Sequence, residues 1–150
     1  MNISSLLKKE TINIGLDVSS KEDCLNHMIN GMEKAGFVSD KSTYLKDVLA
    51  REAKGSTGVG FGIAIPHGKS SGIKTPGLAF TKLARPIQWN SLDGNPVEIV
   101  FLIGVPEKDA DNEHIKILIS ISRKLVHEEF RNQLLSAKTE DDILSILSDI

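Results

Sequence analysis

Four histidines are spread through the 150 residues, and two of them stand where an imidazole could do more than pack. His67 lies in Ile65–Pro66–His67–Gly68, directly after a short apolar run. Proline fixes the backbone before it, and glycine lets the chain turn tightly after it. A side chain held that way at a strand end is pre-positioned and exposed, and in open α/β sheets ligands gather outside the carboxyl ends of the strands. His114 stands eight residues after Pro106, in the first turn of a predicted helix whose positive end attracts anions. Arg51 falls in the last turn of another predicted helix and points off its end toward a run of glycines. If the strands ahead of His67 and Pro106 run parallel, both imidazoles emerge on one edge of a sheet, and the Arg51 guanidinium joins them there.

Two imidazoles and a guanidinium around one point suit phosphoryl transfer, in which positioned cations and donors stabilise charge on the equatorial oxygens. A neutral imidazole is nucleophilic near neutral pH and becomes a good leaving group once phosphorylated. The same pair of histidines could instead bind zinc. A metal would want a third ligand at close spacing, and the chain has no His-x-x-x-His, no HExxH and no cysteine pair. The loop from Gly55 through Ser56, Thr57, Gly58 and Gly60 to Gly62 could bring backbone N–H groups close to an anion. It is not a P-loop, and no dinucleotide fingerprint is present, so a nucleotide is not implied and no cofactor is expected. Ser70 and Ser71 lack the nucleophile-elbow pattern of a serine hydrolase. His27 and His127 read as partly exposed helix histidines, the second ending the helix that begins near residue 112.

These groups need elements to hold them. Ser19 with Glu22 resembles a capping box, followed by Leu25, Met28, Ile29 and Met32 at helical spacing up to Gly36. Asp40 caps a second predicted helix with Tyr44, Leu45, Val48 and Leu49 as its buried stripe, ending with Arg51 and Glu52 before Gly55. Apolar runs at Ile63–Ile65, Leu78–Leu83 and Val97–Val105 read as strands, the last nearly continuous and therefore central, and Asp93–Gly94 signals a turn. Asp111 or Asn112 opens a helix carrying Ile115, Leu118, Ile119, Ser122 and Leu125, and Thr139 with Asp142 caps a last one. Helices at both ends with strands between predict a single layered α/β domain, residues 1–150, whose sheet is covered by helices.

Composition narrows the function classes. With 40% hydrophobic residues and 25% charged, the chain is neither disordered nor fibrous. Eighteen Lys plus Arg against twenty Asp plus Glu give a net charge of −2 with no long block of either sign, which speaks against nucleic acid. The N-terminal stretch lacks the apolar middle of a signal peptide, and Ile99–Ile103 is too short to span a bilayer. The single cysteine, Cys24, cannot build a disulfide framework. A cytoplasmic protein without membrane insertion is expected.

Taken together, Arg51–Glu52, Gly55–Ser56–Thr57–Gly58–Val59–Gly60 and Gly62–Ile63–Ala64–Ile65–Pro66–His67–Gly68–Lys69 resemble the signature of enzyme IIA of the fructose/mannitol type in the phosphoenolpyruvate-dependent sugar phosphotransferase system. The resemblance covers nearly the whole chain, and the stretch Trp89–Val97 resembles the fructose branch most. It implies a layered α/β fold with a mixed central β-sheet flanked by helices on both faces. It implies that Nε2 of His67 accepts a phosphoryl group from the carrier protein HPr and passes it to a cysteine of a cognate enzyme IIB. It implies that Arg51 and His114 hydrogen-bond the phosphohistidine and its transition state. Glu52 belongs to the matched motif and is expected to have a local role, pairing with Arg51 or Lys54. The regulatory, nitrogen-type relatives leave a second reading open, in which His67 phosphorylation signals metabolic state without sugar transport. The chain has no room for a IIB or membrane IIC domain, so it is expected to meet its partners by diffusion or to be part of a longer protein. Both partners would dock over His67, and Phe61 and Ile73 are candidate exposed apolar residues on that rim.

Overall fold

The computed structural model describes residues 3–108, 112–148 and 150. Its centre is strand β6 (Val97–Pro106), buried along nearly its whole length as a strand covered on both faces must be. β6 pairs antiparallel with β5 (Gly77–Ile87) on one side, and parallel with β3 (Ile63–Ala64) and β4 (His67–Ser70) on the other. β1 (Ile12–Leu16) adds to β5 in parallel, and β2 (Gly58–Gly60) adds antiparallel to β3. The strand order is therefore β1-β5-β6-β3-β2, with β4 continuing the line of β3 along β6. The sheet is mixed, as the family resemblance implies.

Two helices cover one face. α1 (Lys21–Lys34) buries Cys24, Leu25, Met28, Ile29 and Met32, and the chain leaves it through Gly36 at φ +89°, a conformation that glycine adopts without strain. Its cap is Ser20, whose hydroxyl accepts the Asp23 N–H at 3.1 Å, one residue later than the predicted Ser19. α2 (Lys41–Ala53) is capped by Asp40, whose carboxylate accepts the Thr43 N–H at 3.2 Å. That hydrogen bonding holds the Asp40 carboxyl below the usual carboxylate range. Helices α3 (Glu113–Leu125), α4 (Glu128–Ser136) and α5 (Glu140–Leu147) cover the opposite face with the N-terminal residues Ile3 and Leu7. Alternation along β5 and β6 feeds both layers: Leu78, Phe80, Phe101 and Ile103 face α3–α5, while Ala79, Val100 and Leu102 face α1 and α2. Phe80 and Phe101 meet edge to face at 5.2 Å.

α2 sits closely on the sheet because the sheet offers it glycines. Gly68, Gly104 and Gly77 are register partners across β4, β6 and β5. A Cβ on Gly104 would lie 2.6 Å from Ile73 Cδ1 and 2.9 Å from the Tyr44 hydroxyl, and one on Gly77 would lie 2.4 Å from the Phe37 ring. Tyr44 uses that space to donate from its fully buried hydroxyl to the Ile103 carbonyl at 2.7 Å, and burial pushes its pKa well up.

Several expectations are corrected. The buried stripe of α3 is Ile117, Ile121 and Leu125, with Ile115 and Ile119 both 45% exposed and Ser122 exposed. Its N-cap is Asn112, and Asp111 lies outside the described residues. His127 does not end that helix; α3 stops at Leu125, and His127 is the exposed N-cap residue of α4, an element absent from the sequence-based expectation. His27 is an exposed residue of α1. Strands β1 and β2 are further additions. Thr139 and Asp142 form the capping box of α5 as predicted.

Candidate functional site

His67 opens β4 rather than standing in a turn after a strand. Pro66 interrupts the ladder between β3 and β4, and its carbonyl accepts the Ile103 N–H at 3.0 Å, so the register is carried across the break. Gly68 does not turn the chain either. It lies in the strand, where a Cβ would touch Val48 at 3.4 Å and Tyr44 at 3.6 Å, so its bare backbone admits α2. His67 pairs with Ile103, three positions before the end of β6, which places it toward the carboxyl end of the parallel strands. The condition set by the sequence is met, since β3 and β4 both run parallel to β6.

The imidazole is half-buried and oriented. Nδ1 lies 2.9 Å from the Ile65 carbonyl oxygen. A carbonyl only accepts, so Nδ1 carries the proton and Nε2 keeps its lone pair. The pKa is lowered from its ordinary value of 6.5, first by burial, then by electrostatic repulsion from the Arg51 guanidinium and from the His114 side, while the Ile65 hydrogen bond and the Glu52 charge pull the other way. A neutral, nucleophilic ring with its free nitrogen at Nε2 follows near neutral pH.

Arg51 reaches the site from the last turn of α2, and its Nη1 donates to the Gly55 carbonyl at 2.8 Å, as expected of a side chain pointing into the glycine loop. His114 is half-buried in the first turn of α3. The structure thus brings Arg51 and His114 within electrostatic reach of His67. Among the described residues no three His, Cys, Asp or Glu side chains are grouped to hold a metal ion.

The glycine loop is not an anion cradle. Four of its N–H groups are already used: Gly55 donates to the Glu52 carbonyl, Thr57 to the Glu52 carboxylate, Gly58 to the Ser56 hydroxyl and Phe61 to Asp93. Most of the loop is instead β2 and a tight turn in which Phe61 takes φ +59° between Gly60 and Gly62. Phe61 is 65% exposed, but it precedes β3 and so lies toward the opposite end of the strand line from His67. Its ring stacks under the Arg131 guanidinium at 4.0 Å. Ile73 is buried against Gly104 and bridges to Val38, so neither residue lines a rim at His67 as expected.

Glu52 is the residue whose setting the sequence missed. It is 9% exposed, and its partner is neither Arg51 nor Lys54 but Lys21, whose Nζ is 3.1 Å from Oε2. Its carboxylate also accepts from the Thr57 N–H at 3.4 Å and from the Thr57 hydroxyl. Trp89, fully buried, donates from Nε1 to that hydroxyl at 3.3 Å, and Lys21 lies 5.3 Å from the Trp89 ring centroid. A helix-start lysine thirty-one residues upstream leaves no local pattern to read.

Comparison with known proteins gives the site a context. Residues 5–150 match the family model described as phosphoenolpyruvate-dependent sugar phosphotransferase system, EIIA 2. The chain is 39% identical over 148 residues to the fructose-specific EIIABC component of Bacillus subtilis strain 168, covering 99% of this chain but only 23% of that protein. It is 33% identical over 149 residues to the fructose-specific EIIA component of Haloferax volcanii, covering 99% of this chain and 96% of the relative. In fold it is similar to the nitrogen regulatory protein IIA-Ntr of Neisseria meningitidis, with a TM-score of 0.88, 29% identity, and coverage of 97% of this chain and 98% of that one.

Proposed function

The chain belongs to the EIIA 2 family of the phosphoenolpyruvate-dependent sugar phosphotransferase system, and from that premise we propose that it is a phosphoryl carrier whose acceptor atom is Nε2 of His67. The observation that carries the proposal is the Nδ1 contact with the Ile65 carbonyl, which leaves Nε2 as the basic nitrogen. In the first step the Nε2 lone pair attacks the phosphorus of phosphohistidine on HPr. The new N–P bond forms as the donor's N–P bond breaks, and that electron pair returns to the donor ring. In the second step a cysteine thiolate of a cognate IIB attacks the phosphorus, and the Nε2–P bond releases its pair to His67. Nδ1–H stays on Ile65 throughout, so the ring loses and regains its nucleophilic nitrogen without reorienting.

Arg51 and His114 act as stabilisers in this reading. Their charge and donors face a phosphoryl group whose equatorial oxygens carry most of the transition-state charge. Relatives named as fructose-specific support a fructose-type permease as the destination, and HPr as the donor follows from the family resemblance. We place the protein in the cytoplasm, as a single IIA domain over residues 1–150; no described helix is long and apolar enough to cross a membrane. The fold similarity to a nitrogen regulatory IIA protein favours one second reading, signalling through His67 phosphorylation without sugar.

Intact-protein mass spectrometry after incubation with phosphoenolpyruvate, enzyme I and HPr, at a pH that preserves phosphohistidine, tests the carrier. A single phosphate is expected on the wild type and none on folded His67→Ala; phosphate on that variant would refute the assignment. Adding a fructose-type IIB should discharge the phosphorylated protein. Failure to discharge to any sugar-specific IIB would favour the regulatory reading.

A further inference from the structure

We infer that Glu52 is a positioning residue for the phosphoryl-transfer site: through Thr57 it fixes the loop that orients both His67 and Arg51. The inference rests on the carrier reading of His67 for its kinetic consequence, but its geometry stands independently.

Two hydrogen-bonded paths leave the Glu52 side of the loop. The first runs from the carboxylate to the N–H and hydroxyl of Thr57, from the Thr57 carbonyl to the Ile65 N–H at 3.0 Å, and from the Ile65 carbonyl to His67 Nδ1 at 2.9 Å. The Ile65 peptide is therefore held at its N–H by Thr57 and sets the tautomer of His67 with its carbonyl. The second path leaves Thr57 along the chain to Gly55, which accepts Arg51 Nη1 at 2.8 Å and is itself tied by its N–H to the Glu52 backbone carbonyl at 3.2 Å. Movement of Gly55–Thr57 would therefore disturb the nucleophile and the guanidinium together.

The carboxylate is built in. Burying a charge is costly unless it is paired and its remaining lone pairs are satisfied. Here Lys21 supplies the counter-charge, Thr57 supplies two donors, and the Trp89 indole closes the cluster from below by bonding the same hydroxyl. Lys21 is itself packed over the Trp89 ring, so ammonium and carboxylate are held by a rigid aromatic wall rather than by flexible side chains alone. The arrangement resembles the way outer hydrogen bonds orient a reactive imidazole through its second nitrogen, with a peptide carbonyl as the last link.

The test uses the full chain in three forms: wild type, Glu52→Ala and Glu52→Gln. Long-range nitrogen-15 NMR reads the His67 tautomer, and initial rates with phospho-HPr read transfer. In Glu52→Ala the Nε2–H tautomer should become populated beside Nδ1–H, and the transfer rate should fall roughly 10-fold or more with KM for phospho-HPr unchanged, since displacements of about 1 Å can cost about 100-fold. Glu52→Gln keeps an oxygen for Thr57 and should restore the tautomer and most of the rate. A folded Glu52→Ala protein with the wild-type tautomer or the wild-type rate overturns the inference. If Glu52→Ala does not fold, Thr57→Val, which removes the hydroxyl at the junction, decides by the same two readouts. Should the wild type take no phosphate at all, the carrier reading fails, and the tautomer measurement still decides the role of Glu52.

Discussion

Adding one methyl group at Gly104 measures how firmly α2, and with it Arg51, is seated. The Cβ of Gly104→Ala would lie 2.6 Å from Ile73 Cδ1, 2.9 Å from the Tyr44 hydroxyl and 3.0 Å from Tyr44 Cζ. Carbon atoms settle at about 3.5–4.0 Å, so the overlap with Ile73 is about 1 Å. Tyr44 cannot swing aside without giving up its 2.7 Å bond to Ile103, and Ile73 is 4% exposed in a packed cluster. Overpacking of this kind costs about 1–3 kcal/mol, and an orphaned buried hydroxyl or carbonyl adds about 1–3 kcal/mol. Replacing glycine returns about 0.4–1 kcal/mol through the unfolded chain. The net expectation is a loss of about 2–4 kcal/mol, read as a fall in Tm of about 5–15 °C in a thermal melt followed by circular dichroism. Ile73→Val removes the methyl nearest the clash at a cost of about 0.5–1.5 kcal/mol alone, so the double variant should be less destabilised than the sum by at least about 1 kcal/mol. A Gly104→Ala protein that melts within about 1 °C of the wild type, or a double variant that is simply additive, would refute the close seating of α2.

Arg51→Ala and His114→Ala should still accept phosphate on His67 but more slowly, each by about 100-fold, as expected of electrostatic stabilisers worth a few kcal/mol; complete loss of labelling in either would reassign it. The lowered pKa of His67 sets a pH dependence. Above the unfolded value near 6.5 both states are neutral and no penalty applies; as pH falls through that value toward the folded pKa, the unfolded chain binds the proton first and the wild type loses stability. Relative to His67→Gln, urea unfolding should therefore show the wild type weakening as the pH falls through the unfolded value near 6.5, and a difference that is constant or reversed would contradict a buried neutral imidazole.

What the sequence showed of the fold was set by how local each signal is. Asp40 and Thr139 cap helices through side chains bonded three residues on, and β6 carries its burial in its own composition. α3 misled because Ile115, Ile117, Leu118, Ile119, Ile121 and Leu125 spread apolar side chains over more than half of its circumference, and only the sheet beneath selects Ile117, Ile121 and Leu125 as the inner face. α4 begins at an N-cap without a side-chain bond, and its entry is shaped instead by Arg131, whose Nη1 caps the Leu125 carbonyl at 2.7 Å. Within the site, the places of His67, Arg51 and His114 followed from strand direction and helix ends, which short patterns encode. Glu52 did not, since its partners Lys21, Thr57 and Trp89 meet only after α1, the glycine loop and the segment after β5 have packed.

The position of His67 in a strand also bears on solubility. Among the described residues no strand pairs with the outer side of β4, so the nucleophile stands on an open sheet edge, where unpaired backbone groups invite another chain to add a strand. Here the invitation is withdrawn by the same residues that make the site. β4 is four residues long, Pro66 before it has no N–H to offer, Gly68 has no side chain to contribute to a zipper, and Lys69 puts an exposed charge beside it. An imidazole can therefore be presented at the border of the sheet to successive visitors without that border becoming a template for aggregation.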